Sequence, residues 1–161
     1  MFTATSPDQM PDLETTLSMS GLEFMQAMRD GKISRPPISA IMSYALDEVA
    51  EGRVVFRGTP EFQHCNPAGG VHGGWYGTLL DSCMSCAVMT MTPKGSVYTT
   101  LEYKVNMLRA IPLGAEVLAI GEIDHAGRST GVARGRIEDA NTGKLYATGS
   151  ATCLIMELRS A

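Results

Sequence analysis

A single long helical pattern opens at His72-Gly73-Gly74, and four strand patterns follow it with only turns between them. Tyr76, Leu79, Leu80, Cys83, Ala87 and Val88 recur at three- and four-residue steps, so one stripe of the helix is buried. A second stripe, Gly74, Gly77, Thr78, Asp81 and Ser85, is nearly all small and allows another backbone to approach closely. Pro93 ends the pattern. Strand patterns then cover residues 96–108, 116–124, 129–139 and 144–156, with turns at Pro112-Leu113-Gly114, His125-Ala126-Gly127-Arg128 and Asn141-Thr142-Gly143. In the first of these, Thr99, Leu101, Tyr103, Val105 and Met107 alternate with Thr100, Glu102, Lys104 and Asn106, which predicts opposite faces for the two sets. Four consecutive antiparallel strands after a helix predict an α+β domain with the helix covering one sheet face.

Upstream, Val54-Val55-Phe56 and residues 45–49 predict a hairpin turning at Glu51-Gly52. Before it, Ser20 and Glu23 have capping-box spacing, and Leu22, Met25 and Met28 predict a short amphipathic helix ended at Gly31. Residues 38–42 follow a Pro-Pro break as a further helical turn. Residues 1–19 are polar, contain two prolines and are expected to be a flexible N-terminal tail, leaving residues 20–161 as one domain. That size agrees with the length prior for a single core. No apolar run nears the ~20 residues of a membrane span. Thirteen basic against seventeen acidic residues argue against duplex nucleic acid as a partner.

The N-terminus lacks a basic signal-peptide region, so a cytoplasmic location is expected, with Cys65, Cys83, Cys86 and Cys153 as reduced thiols. Cys83 and Cys86 form a C-x-x-C inside the helical pattern. No second ligand pair at metal spacing accompanies them, so they read as small buried residues; no metal is expected.

The chemistry-bearing run is Asn66-Pro67-Ala68-Gly69-Gly70-Val71-His72-Gly73-Gly74, with Asp81 inside the helix. First-turn amides have no intrahelical partner and carry the positive end of the dipole. Two glycines leave that end open to a phosphate, carboxylate or developing oxyanion, although no Walker or dinucleotide motif is present. Asp81 is a carboxylate in a largely apolar helix, read either as solvated or as a base or nucleophile. Gly73 and Asp81 lie about 12 Å apart along the axis at 1.5 Å per residue. A reacting carbonyl must sit roughly 3 Å from both donor and attacking group. If both act in one reaction, they come from two chains related by a two-fold axis, which requires a dimer.

Asn66-Pro67-x-Gly69-x-Val71-His72-Gly73-Gly74, Thr78-Leu79-Leu80-Asp81-Ser82, and the strand from Tyr98 to Arg109 resemble the PaaI-type branch of the hotdog-fold acyl-CoA thioesterases. His125-x-Gly127-Arg128 and Ala151-Thr152-Cys153-Leu154-Ile155 match as well. The resemblance spans about residues 20–157. It implies a hotdog fold: a six-stranded antiparallel sheet wrapped round one long helix, in a homodimer or a dimer of dimers. It further implies that Gly73 polarises a thioester carbonyl and His72 holds that loop or contacts the thioester. Asp81 of the other chain acts as base or nucleophile, and Asn66 positions water or the carboxylate. Thr100, or its neighbour Thr99, matches a hydroxyl beside the acid. Arg109 and Arg128 match basic positions suited to coenzyme A phosphates. Coenzyme A is then part of the substrate, and no separate cofactor is implied.

For the acyl pocket, Trp75, Tyr76, Met84, Met89, Phe24 and Met28 are candidates, with Trp75 the most site-like and core packing the default for most. An aromatic and a medium-chain acyl group both fit. The chemistry is self-consistent, because a thioester needs only an oxyanion hole and a carboxylate. Two rival readings are a hotdog hydratase or dehydratase, for which no second His lies near Asp81 in sequence, and a non-catalytic acyl-CoA sensor, which would not need the carboxylate.

Overall fold

The computed structural model describes residues 2–158. Helix α4 (Gly73–Met89) lies at the centre, and Trp75, Leu79, Leu80, Cys83, Met84, Ala87 and Val88 on it are almost completely buried. Around it curves one antiparallel sheet of β1 (Tyr44–Ala50), β2 (Arg53–Gly58), β3 (Ser96–Met107), β4 (Val117–Ala126), β5 (Thr130–Asp139) and β6 (Leu145–Glu157). The strand order is β1-β2-β4-β5-β6-β3. This is the expected hotdog. The helix ends at Met89, before Pro93, because Thr90 and Thr92 turn their hydroxyls onto the Ala87 and Met89 carbonyls.

The sheet can close on the helix because glycines face it. A Cβ on Gly121 of β4 would lie 2.0 Å from the Cys83 carbonyl oxygen, so helix and strand meet backbone to backbone there. Gly121→Ala is expected to destabilise the fold by ~3 kcal/mol, the upper range for overpacking where no flexible side chain can yield. Urea unfolding of the variant measures this.

The short helices cover one end of the sheet. Helix α2 (Gly21–Arg29) carries the predicted capping box: Ser20 and Glu23 bond reciprocally. Helix α3 (Pro37–Ile41) is the predicted extra turn.

Residues 2–19 differ from the tail expected of them. Ala4 is buried, and its N–H donates to Arg35 O at 3.1 Å, while Arg35 N–H donates to Phe2 O at 3.0 Å. Ser34 Oγ donates to Gln9 O, and Gly95 N–H to Leu17 O. Helix α1 (Leu13–Leu17) is capped by Asp12, whose side chain accepts from Thr15 N–H. Polar composition concealed this because the segment is held by backbone hydrogen bonds, which any residue but proline supplies.

Strand β3 contains a bulge. Thr100 pairs with Cys153 and Glu102 with Thr152, so Leu101 is the extra residue. The strict alternation read from the sequence therefore reverses at Leu101. Thr100 comes to face the helix together with Tyr103 and Met107, although it is an odd number of residues from each.

Candidate active site

His72 caps helix α4 through its own ring: Nδ1 accepts from Gly74 N–H at 2.9 Å. The proton of the neutral imidazole then sits on Nε2. Trp75 N–H donates to the His72 carbonyl. Gly73 N–H, just before these two tethered amides, has no acceptor among the described residues. A Cβ on Gly73 would lie 3.3 Å from the end of Met107, so the space beside it is narrow.

The preceding loop is held by Asn66. Its Oδ1 accepts from Ala68 N–H at 2.9 Å and Gly70 N–H at 3.2 Å, and the Asn66 and Gly70 backbones bond at 2.7 Å. The side-chain oxygen is consumed in shaping the loop, which leaves Nδ2 as the group able to donate outward.

Two turns along the same helix face, Asp81 is half-buried. Thr100 Oγ1 donates to its Oδ1 at 3.0 Å. Burial raises the Asp81 carboxyl above the usual carboxylate range, and the Thr100 hydrogen bond pulls it partly back. The β3 bulge is what makes Thr100, and not Thr99, the residue that meets the carboxylate; Thr99 is exposed.

A cavity of about 340 Å³ adjoins Asp81. Asp81 and Ser82 of α4, Phe24 and Met28 of α2, and Met10 and Pro11 of the N-terminal segment line it. Phe24, Met28 and Met89 are thus in the lining, as weighed from sequence. Trp75 is not. It is 1 % exposed, and its indole N–H donates to Met42 O at 2.9 Å. It borders a different groove, with His64, His72 and Gly74, and its ring packs in the core. Sequence reading missed Met10 and Pro11. The available signal was Asp12 before Leu13, a helix N-cap in a segment otherwise read as loose.

Arg109 is exposed, and its Nη1 donates to Leu145 O at 2.9 Å. Arg128 is exposed and makes no ion pair among the described residues. They lie toward opposite ends of α4. Met107, two residues before Arg109, meets Gly73, whereas Gly131, three residues after Arg128, packs on Val88. Within one chain they flank a helix of about 25 Å, not one pocket.

Burial pushes the Cys86 thiol up to about 12 and Cys83 higher still, which suits inert packing rather than thiolate chemistry. Among the described residues no group of three or more His, Cys, Asp or Glu is placed to hold a metal ion, and no helix is long and apolar enough to cross a membrane.

The model of the thioesterase superfamily matches residues 68–146, the stretch that holds the Gly73 amide, Asp81 and Thr100. Just under half of the chain is thus similar to the thioesterase superfamily. Mouse acyl-coenzyme A thioesterase 13 is 30% identical over 92 residues, 57% of this chain and 65% of that protein, so this match spans just under two thirds of the relative. The human protein of that name is 24% identical over 138 residues, 86% of this chain and 96% of the other. A thioesterase structure with coenzyme A from Streptococcus pneumoniae is similar at TM-score 0.67 and 28% identity, covering 76% of this chain and 93% of that one. The E. coli PaaI protein shares the fold at TM-score 0.73 and 21% identity, over 87% and 96% of the two chains. The PaaI-type resemblance read from the sequence is borne out at the level of fold and family.

Proposed function

We propose that this protein hydrolyses acyl-CoA thioesters, with an aromatic or medium-chain acyl group, to a free acid and coenzyme A at sites shared between two copies. The observation that carries this reading is one helix face bearing both an unpartnered first-turn amide, at Gly73, and a half-buried carboxylate held by a hydroxyl, at Asp81. The relatives named acyl-coenzyme A thioesterase, and the relative solved with coenzyme A, support the substrate class.

Eight residues of helix prevent the two groups of one chain from reaching one carbonyl. The partner copy supplies the second. Strand β3 is the edge suited to that contact. It is twelve residues long, pairs among the described residues only with β6, and exposes Leu101, Tyr103 and Met107. The opposite edge, β1, is short, bulged and charged, with Asp47 and Glu48 paired to Arg57 and Arg53, as protected edges are.

In the reaction, the thioester oxygen accepts from Gly73 N–H of one copy while Asp81 of the other takes a proton from water. The water oxygen bonds to the carbonyl carbon, the C–S bond breaks, and the departing thiolate recovers the proton from Asp81. Direct attack by the carboxylate, followed by hydrolysis of the anhydride, uses the same groups. Asn66 Nδ2 donates to the water or carboxylate, and His72 holds the loop. Arg109 of one copy and Arg128 of the other meet the phosphates, because antiparallel helices bring their opposite ends together.

Thiol release from a panel of aromatic and aliphatic acyl-CoAs tests the reading. Release above the uncatalysed rate is expected, with a dimer or dimer of dimers by light scattering. Binding of acyl-CoA without thiol release would overturn it in favour of a sensor.

The pH profile follows from the same geometry. Asp81 must be ionised to act, so kcat/KM falls as pH drops through its raised value, placing the acid limb above the usual carboxylate range. Thr100→Val removes a donor to the ionised form. It is expected to move that limb further up in pH and lower the plateau by about tenfold, the lower end for a hydrogen bond to a charged group.

A further inference from the structure

The cavity beside Asp81 follows helix α4 from Asp81 to Met89, a rise of about 12 Å. Its walls are mostly apolar, and four methionines, Met10, Met25, Met28 and Met89, contribute to them. Three of the hydroxyls in the lining are engaged locally, Ser82 Oγ with Tyr44 OH at 2.9 Å and Ser39 Oγ, which donates to Pro36 O at 2.8 Å; Ser85 and Tyr98 line it as well. Such a chamber offers little to a ring bearing polar substituents. Unbranched thioether side chains adapt well to a flexible hydrocarbon. A cavity of about 150 Å³ accepts one benzene ring. At about 340 Å³ this one is more than twice that size.

The outer wall belongs to the N-terminal segment. Met10 lines the chamber and is 37% exposed, so on the N-terminal segment this side chain stands between the chamber and solvent, with Ile38 of α3 exposed beside the same cavity. The backbone around it is anchored on both sides, by Ser34 Oγ on the Gln9 carbonyl before it and by Gly95 N–H on the Leu17 carbonyl after it.

We infer that residues 2–19 form a strap closing the acyl chamber, and that Met10 limits the acyl group to an unbranched chain of about ten to twelve carbons. This rests on the thioesterase reading and adds to it the substrate class and a specificity-determining residue. The chain enters beside Asp81 and lies along α4 under the strap, while the thioester stays at the helix start of the partner copy.

The experiment is a series of saturated acyl-CoAs from four to sixteen carbons, with phenylacetyl-CoA beside them, assayed by thiol release. For the wild type, kcat/KM is expected to rise about fourfold per methylene, to peak at ten to twelve carbons, and then to fall. Met10→Ala opens the wall and raises the sixteen-carbon rate by about tenfold, leaving the four-carbon rate within about twofold. Met10→Trp moves the optimum down by about two carbons or more. Leu13→Ala, exposed on the same segment and outside the lining, follows the wild type. A uniform effect of the Met10 variants at every length overturns the inference, as does a preference for phenylacetyl-CoA or an undiminished sixteen-carbon rate in the wild type. If the wild type hydrolyses none of them, the thioesterase reading fails by itself. Calorimetry with non-hydrolysable S-alkyl-CoA thioethers then decides the strap: a length break moved by Met10 supports it, and a flat series sinks it.

Discussion

Asp81→Ala is expected to lower kcat/KM by about 10²–10⁴, the range of general acid–base contributions, with folding and assembly intact. The argument is local. Asp81 bonds to Thr100 Oγ1 and sits at the mouth of the chamber, and no salt bridge among the described residues depends on it. The loss should therefore be chemical and not structural. The stability effect has the opposite sign. A carboxyl whose folded pKa is raised costs nothing below its unfolded pKa, where both states are protonated. The cost grows as pH rises above the unfolded pKa and is complete once pH exceeds the raised folded value. Asp81→Asn should thus be more stable than the wild type at neutral pH, and this advantage should vanish in acid. Urea unfolding at pH 3 and pH 7 reads the difference. Equal activity in the variant would remove Asp81 from the mechanism.

Gly73→Pro is expected to lower kcat by about 10²–10³, as the loss of one oxyanion donor does. Proline is tolerated at the first helical position, where it removes only the N–H. His72, with φ −64° and ψ 139°, already has the extended backbone that a following proline requires. Mixed assemblies of this variant with Asp81→Ala give the larger effect. Each variant alone has no intact site. A heterodimer has one, built from Gly73 of one copy and Asp81 of the other. Unfolding and refolding the two variants together at equal amounts should recover about a quarter of wild-type activity, since half the dimers are mixed and each has one site of two. No recovery, with mixed dimers demonstrated by mass, would place both groups of a site in one chain.

Much of the fold was legible because it rests on periodicity. The buried stripe of α4, the hairpin at Glu51-Gly52 and the Ser20–Glu23 capping box are short-range patterns, and each formed where it was read. Four strands in succession left the helix as the only cover for their inner face. The candidate site was legible for a related reason. A glycine pair opening a helix and a lone aspartate eight residues later lie on one rigid element, so their separation follows from helix geometry alone.

Other features depended on contacts between distant segments. Thr100 meets Asp81 because Leu101 is bulged, and a bulge comes from how β3 pairs with β6, not from the β3 pattern itself. Trp75 looked like a site aromatic, but the carbonyl of Met42 claims its indole N–H and the core claims its ring. Residues 2–19 looked like a tail. Their order comes from backbone bonds to Ser34, Arg35 and Gly95, for which polar side chains give no signal. The sequence by itself determined the elements, the helix-borne pair Gly73 and Asp81, and the need for a second copy if both act together. Only the tertiary structure decided which threonine meets the carboxylate, which aromatic lies in the core, and what walls the chamber. Local periodicity and helix rise are properties of neighbouring residues, whereas register, bulges and the docking of a terminal segment are set by partners far away in the chain.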